Sequence, residues 1–325
     1  MIAVLCGGVG AAKMLGGLVQ VVDESEITAI VNTGDDTVMH GLAICPDLDT
    51  ITYTLSGSVN PETGWGLTGE SWQAMGALER LGGSDRTWFR LGDRDIGTHL
   101  YRTGRLAEGA SLSEVTAEIA AAFGLRLALV PVSDDPIRTV LTLPSGAELA
   151  FQEYFVKLRH DVVVESVRYE GAARARPGPQ VIEVLESADL VVIAPSNPVV
   201  SIGPILAVPG VTAVLERRRR DVVAVSPIVG GVALKGPADR LLVELGGEAS
   251  ADGVARYLAP WIGTLVIDEL DAGLASLVAD AGVRAVVAET VMSTPDRARN
   301  LAHTVLGSLG SPGQPRESSS QREPG

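Results

Sequence analysis

Lysine is nearly missing: Lys13, Lys157 and Lys235 are the only three in 325 residues. Basic side chains total 26 against 40 acidic ones, a formal charge of −14, which argues against duplex nucleic acid or an anionic membrane as the main partner. Cysteine is limited to Cys6 and Cys45, so a disulfide framework is excluded. No basic segment followed by a long apolar stretch opens the chain, and the expectation is a reduced, cytoplasmic protein. Apolar runs all fall well short of the ~20 residues needed to cross a bilayer. His40, His99, His160 and His303 have no metal-ligand spacing, which leaves zinc without support. A Gly-x-Ser-x-Gly elbow is absent, and with it the signature of triad hydrolysis. Aromatic residues make up only 4%, so any core has to be aliphatic.

Aliphatic residues are plentiful. With 46% hydrophobic residues the chain can bury a sizeable core, and its length fits roughly two domains, or one with a large insertion. Short runs rich in Val, Ile and Leu recur at 2–10, 27–36, 190–198, 222–231 and 264–271, each closed by a polar or Gly/Pro-rich turn. They are apolar at every position, not every second one, the pattern of parallel strands covered by helices on both faces. The predicted fold class is therefore α/β, a Rossmann-like doubly wound, mostly parallel sheet built from residues 1–58 and 179–310. Ligands of such a sheet sit beyond the carboxyl ends of its strands.

The middle of the chain reads differently. Trp72, Met75 and Leu78 mark one face of a helix over 68–81, and Ser111 with Glu114 forms a capping-box pattern before a second helix. RTVLTL (138–143), Pro144-Ser145-Gly146 and ELAFQEYFV (148–156) predict a hairpin. Residues 59–178 are thus expected to form an inserted α+β subdomain, and the polar tail 311–325 to be disordered.

Several turns carry candidate chemistry. Gly7-Gly8-Val9-Gly10-Ala11-Ala12-Lys13 follows the first strand, where backbone N–H groups and a helix N-terminus can approach a phosphate; alternatively it is a tight turn that merely packs. It matches neither the dinucleotide fingerprint nor a Walker loop. Asn32-Thr33-Gly34-Asp35-Asp36 and Asp47-Leu48-Asp49-Thr50 bring four carboxylates to one sheet edge. Such a cluster requires a counter-charge, and hard oxygen ligands suit Mg2+ with substrate phosphate; singly, each Asp could equally be a cap or turn former. Gly92-Asp93-Arg94-Asp95 with His99, just after Arg90, reads either as a solvated charged turn or as a clamp in which Arg94 grips a phosphate or carboxylate. The loop 195–204, with Ser196, Asn197 and Ser201, offers hydroxyl, amide and backbone donors in a rigid frame. Ser226 to Gly231 and Lys235 repeat that pattern after the next strand. Arg217 to Arg220 is a C-terminal helix cap and Ser293 to Asp296 a helix start.

Taken in order, GGVGAAK, NTGDD, CPDLDT, LGDRD with TH, SDDP, FQEYFV, APSNPVVSIGPI and SPIVGG closely resemble the 2-phospho-L-lactate transferase family of deazaflavin coenzyme F-420 biosynthesis. The resemblance spans nearly the whole chain except the tail. It implies a Mg2+-dependent, homodimeric enzyme that moves a phospholactyl group, or its phosphoenolpyruvyl counterpart, from a guanosine diphosphate donor to the ribityl hydroxyl of the deazaflavin FO, releasing GMP. It further implies Asp49, Asp36 and Arg94 as catalytic residues and Asp49, Asp35 and Asp36 as metal ligands. The implied substrate-binding set is Gly8, Gly10, Lys13, Thr33, Asp35, Asp49, Arg90, Arg94, Ser196, Asn197, Ser201 and Ser226. Val38 and Tyr154-Phe155 depart from the family pattern, which has Trp at the first position and often at the other two. The rival expectations are a sugar-nucleotide-binding regulator of the related gluconeogenesis-factor type, which lacks the DLDT and GDRD motifs, and a nicotinamide oxidoreductase, which the imperfect glycine fingerprint weakens.

Overall fold

The computed structural model describes residues 1–309; the tail expected from 311 onward lies outside them. Seven strands form the central sheet: β1 (Ile2–Cys6), β2 (Ile27–Val31), β3 (Ala128–Pro131), β4 (Leu190–Ile193), β5 (Val222–Val225), β6 (Thr264–Asp268) and β7 (Arg284–Ala288). Their order is β7-β6-β5-β4-β1-β2-β3 and every pairing is parallel. The α/β class and the doubly wound arrangement expected from the apolar runs are what the chain adopts.

Alternation within those runs sorts two cores. Ala3, Leu5, Ile30, Val191, Ile193, Ala224 and Leu265 point to one side, under the helices Val181–Ser187, Val211–Arg217 and Ala251–Leu258. Ile2, Val4, Cys6, Ala29, Val31, Val192 and Val223 point to the other. That second core is covered by α1 (Gly8–Leu18), α2 (Pro46–Leu55) and the helix Pro295–Gly307, whose start is capped by the Thr294 hydroxyl. Each buried Val, Leu or Ile among them contributes about 2 kcal/mol, so the sheet needs no aromatic core.

Residues 59–178 are not one uninterrupted insertion. They hold α3 (Gln73–Gly82), α4 (Asp93–Ala107) and α5 (Leu112–Ala122), but then β3 joins the central sheet beside β2. Ser111 and Glu114 form the capping box at α5. A separate antiparallel sheet follows, with Arg138–Thr142 between Glu148–Ala150 and Ser166–Glu170. The hairpin expectation holds only as far as Ala150. FQEYFV turns helical, with Glu153–Lys157 in a wide π turn, because Phe151, Tyr154 and Phe155 recur at helical spacing and gather their rings: Phe151 stacks on Phe155 with centroids 5.4 Å apart.

Helix α3 starts at Gln73, later than the periodicity predicts, because its N-terminus is built with that of α4. The Asp93 carboxylate accepts from the backbone N–H groups of Gln73 and Ala74, at 2.9 and 3.0 Å. Glu70 returns the favour by accepting from Arg94 and Asp95 N–H at 2.7 and 2.8 Å. Two acidic residues thus cap each other's helices. The run Arg217 to Arg220 is likewise structural: Arg218 donates to the Leu185 carbonyl and Arg219 to that of Ala259. Among the described residues no single helix is long and apolar enough to cross a membrane.

Candidate active site

The strand order reverses direction between β1 and β4, and there the carboxyl ends of the strands open into a cavity of about 700 Å³. The loop after β1 and the loop after β4 meet at its floor. Gly10 lies so close to the second loop that a β-carbon would sit 2.1 Å from the Pro195 carbonyl oxygen, and Gly8 adopts a left-handed φ of +71°; glycine is required at both. The Ser196 hydroxyl donates to the Gly7 carbonyl at 2.8 Å, locking the two loops. Asn197 accepts from Val199 and Val200 N–H through its side-chain oxygen, while its amide nitrogen is buried without a partner among the described residues. Ser226 spends its hydroxyl on its own turn, donating to the Ile228 carbonyl and accepting from Ile228 N–H.

Carboxylates crowd one wall. Asn32, at the end of β2, donates from a single amide nitrogen to both Asp35 Oδ1 and Asp47 Oδ2, at 2.9 Å each. Asp47 also accepts from the Gly8 N–H, which ties the first turn of α2 to the glycine loop. Burial pushes the Asp47 carboxyl up to about 6, against the lowering effect of the Asn32 and Gly8 hydrogen bonds. Asp35 is raised well above the carboxylate range, first by burial and then by the charges of Asp47 and Asp36. Neither is in an ion pair among the described residues.

Asp49 is partnered differently. Arg102, buried on α4, embraces it through both terminal nitrogens, Nη1 donating to Oδ2 at 3.1 Å and Nη2 to Oδ1. Against burial, which would lower it, the Asp49 charge raises the Arg102 pKa. Behind Arg102 stands His99, whose Nδ1 is 3.2 Å from Arg102 Nη1 and whose Nε2 is 3.3 Å from Asp95 Oδ2. Tyr53 donates its hydroxyl to Asp95 at 2.7 Å. Although burial acts the other way, the nearby His99 ring leads the effects that hold Asp95 below its ordinary value.

Cations and aromatic rings complete the enclosure. Lys13 and Lys235 line it from opposite loops, and Lys235 is lowered first by burial and then by the charge of Lys13. The Lys235 ammonium donates to the Thr63 carbonyl at 2.6 Å. Arg90 lines the mouth with its guanidinium 4.8 Å from the centre of the Trp72 ring, a cation–π geometry. Trp65, Phe89, Phe151 and Phe155 supply an apolar wall.

Of the residues singled out from the sequence, Gly8, Gly10, Lys13, Asp35, Asp49, Arg90, Ser196, Asn197, Ser201 and Ser226 all line this one cavity. Three do not. Arg94 points away and donates to the Thr68 carbonyl at 2.6 Å, because its own helix start is organised by Glu70. Thr33 and Asp36 face a second cavity of about 670 Å³ on the far side of Asp35, near Val38. Asp36 hydrogen-bonds with Cys45, and burial raises it well above the carboxylate range. Among the described residues, no three His, Cys, Asp or Glu side chains converge in a metal-binding arrangement. The sequence reading missed Arg102 altogether, did not separate Asp47 from its neighbours, and left Lys235 outside the binding set although its turn had been noted.

Comparison with known proteins agrees with this architecture. The profile of the family described as 2-phospho-L-lactate transferase CofD matches residues 2–292. A phosphoenolpyruvate transferase of Streptomyces griseus is 42% identical over 309 residues, covering 94% of this chain and 97% of its own length. One of Nocardia farcinica is 44% identical over 273 residues, 82% of each. A solved structure of a Bacillus halodurans protein of the UPF0052 family superposes with a TM-score of 0.64 over 94% of this chain and 98% of its own, at 16% identity, a likeness of fold alone. The ordered motifs and the profile match lead to one conclusion: the chain belongs to the 2-phospho-L-lactate transferase family, the transferases of coenzyme F-420 biosynthesis.

Proposed function

We propose that the chain transfers a phosphoenolpyruvyl group from a guanosine diphosphate donor to the ribityl hydroxyl of FO, with Mg2+, releasing GMP. The choice of enolpyruvyl over lactyl rests on the relatives at 42–44% identity, which are named phosphoenolpyruvate transferases. The observation that carries the donor class is the pairing, in one cavity, of a glycine loop and two lysines with two buried carboxylates, Asp35 and Asp47, that no cation among the described residues pairs with. A diphosphate with a divalent ion matches both halves of that arrangement.

Asp35 and Asp47, not Asp49 with Asp36, are the carboxylates that fit the metal. Asp49 already receives both arms of Arg102, and Asp36 faces the other cavity. Bound between donor and protein, Mg2+ would neutralise charge on the diphosphate. Lys13, Lys235 and the N–H groups at the start of α1 hold the phosphate oxygens, and the free amide nitrogen of Asn197 offers a donor to the nucleotide. Phe89, Phe151 and Phe155 lie against the planar deazaflavin. Asp49 accepts the hydrogen bond of the ribityl hydroxyl and orients its oxygen toward the enolpyruvyl-bearing phosphorus. The new P–O bond forms as the phosphoanhydride bond to GMP breaks, and a carboxylate takes the hydroxyl proton.

Mass spectrometry of the protein incubated with Mg2+, FO and either the enolpyruvyl or the lactyl guanosine diphosphate tests this, with a metal-free control beside it. The expected result is Mg2+-dependent FO adduct and GMP, with the enolpyruvyl donor preferred. Unchanged FO with both donors overturns the proposal.

A further inference from the structure

We infer that Arg102 and His99 are positioning residues for Asp49, a buried brace that fixes its carboxylate in one orientation at the cavity wall. The inference rests on the reading above, in which Asp49 receives the acceptor hydroxyl. It begins from a mismatch of chemistry and place: Arg102 is only 2% exposed and His99 1%, a depth at which arginine is rare unless paired. Neither reaches toward solvent or a neighbouring surface. Both are directed at Asp49.

A guanidinium has only protons to offer and a carboxylate only lone pairs, so the two-point contact of Arg102 with both Asp49 oxygens removes rotation about the carboxylate as well as its translation. Lysine at 102 could hold one oxygen but not both. The imidazole stands against the same pair. Arg102 Nη1, which also donates to the Ala43 carbonyl, lies 3.2 Å from His99 Nδ1; as part of the brace Nδ1 accepts from that donor, which leaves the ring proton on Nε2, 3.3 Å from Asp95 Oδ2 though outside hydrogen-bond geometry. Tyr53 closes the row by donating to the other Asp95 oxygen at 2.7 Å. The row ends on α2, the helix that carries Asp49 itself. The outer oxygen lone pairs of Asp49 remain for a substrate hydroxyl.

Steady-state kinetics of the full chain with Mg2+, FO and the enolpyruvyl donor test the brace through Asp49→Asn, Arg102→Lys and the double variant. Arg102→Lys is expected to lower kcat about 100-fold, the loss typical of a displacement near 1 Å. Donor KM should stay within about twofold, and the double variant should be no slower than Asp49→Asn alone. Additive losses in the double variant, with Asp49→Asn itself crippled, overturn the brace and leave the transferase reading standing. Near-wild-type turnover in Asp49→Asn removes the role of Asp49 and the inference with it. Nitrogen NMR of histidine-labelled protein, with His99→Asn for assignment, supplies an arm that needs no turnover. A bare Nδ1 and a protonated Nε2 are expected, with the single tautomer lost in Arg102→Lys; an Nδ1-protonated ring, or a single tautomer that survives in Arg102→Lys, overturns the inference.

Discussion

Two arginines four residues apart, Arg90 and Arg94, have opposite surroundings, and the contrast is testable. Arg90 lies over Trp72 at the cavity mouth, whereas Arg94 holds the Thr68 carbonyl outside the cavity. Arg90→Ala is expected to raise substrate KM by about tenfold, the loss of one charge-assisted contact, while Arg94→Ala leaves KM within about twofold. Paired KM measurements on the two variants check this, and an Arg94 effect as large as that of Arg90 would reverse the assignment. At this scale the sequence was only partly legible. Gly8, Gly10 and Ser196 could be placed because each follows directly from a strand end. Arg102 could not, since it is one of 23 arginines, 26 basic residues less three lysines, and its partner Asp49 lies 53 residues away. Local pattern carries no trace of such a pair.

Elements show the same division between local and distant causes. The central strands were readable because burial on both faces leaves an uninterrupted apolar run. The start of α3 was not, because its cap, Asp93, comes twenty residues later from another helix. A comparable distant tie shapes the cavity at its far wall. At the end of β6, Asp268 accepts from Thr290 N–H and Oγ1, both at 2.9 Å, and from Leu270 N–H at 3.1 Å, holding the segment 290–293 against the site. Burial raises the Asp268 pKa, yet the Thr290 and Leu270 hydrogen bonds outweigh it and the net value is lowered. A lowered folded-state value means that the stabilisation is complete above the ordinary carboxylate pKa of about 4 and is lost as pH falls below it. Asp268→Asn should therefore destabilise the protein by about 1–2 kcal/mol at pH 7, and the gap between variant and parent should shrink below pH 4. Denaturant unfolding at both pH values measures it.

For the molecule as a whole, the carboxylate pair behaves as a stored cost. Asp47, raised to about 6 by burial, binds its proton more tightly folded than unfolded. Its contribution to stability therefore declines as pH rises from about 4 through 6 and is fully unfavourable above that. Asp47→Asn should raise the melting temperature of metal-free protein at pH 7.5 by about 2 °C or more. Mg2+ should raise that of the parent but not of the variant. A variant that melts lower would show that Asp47 is no burden, and one that keeps the Mg2+ response would show that it is no ligand.

The position of β1 has a consequence in time. β1 lies inside the sheet, fifth in the order, and one of its two neighbours, β4, is not made until residue 190. Until β4 is made, β1 can pair only with β2, joined by β3 once residue 131 is reached, and one edge of β1 stays unsatisfied and entirely apolar. The nascent chain has to be shielded along that edge until β4 emerges, and a product truncated before it would expose a sticky strand, not a smaller enzyme.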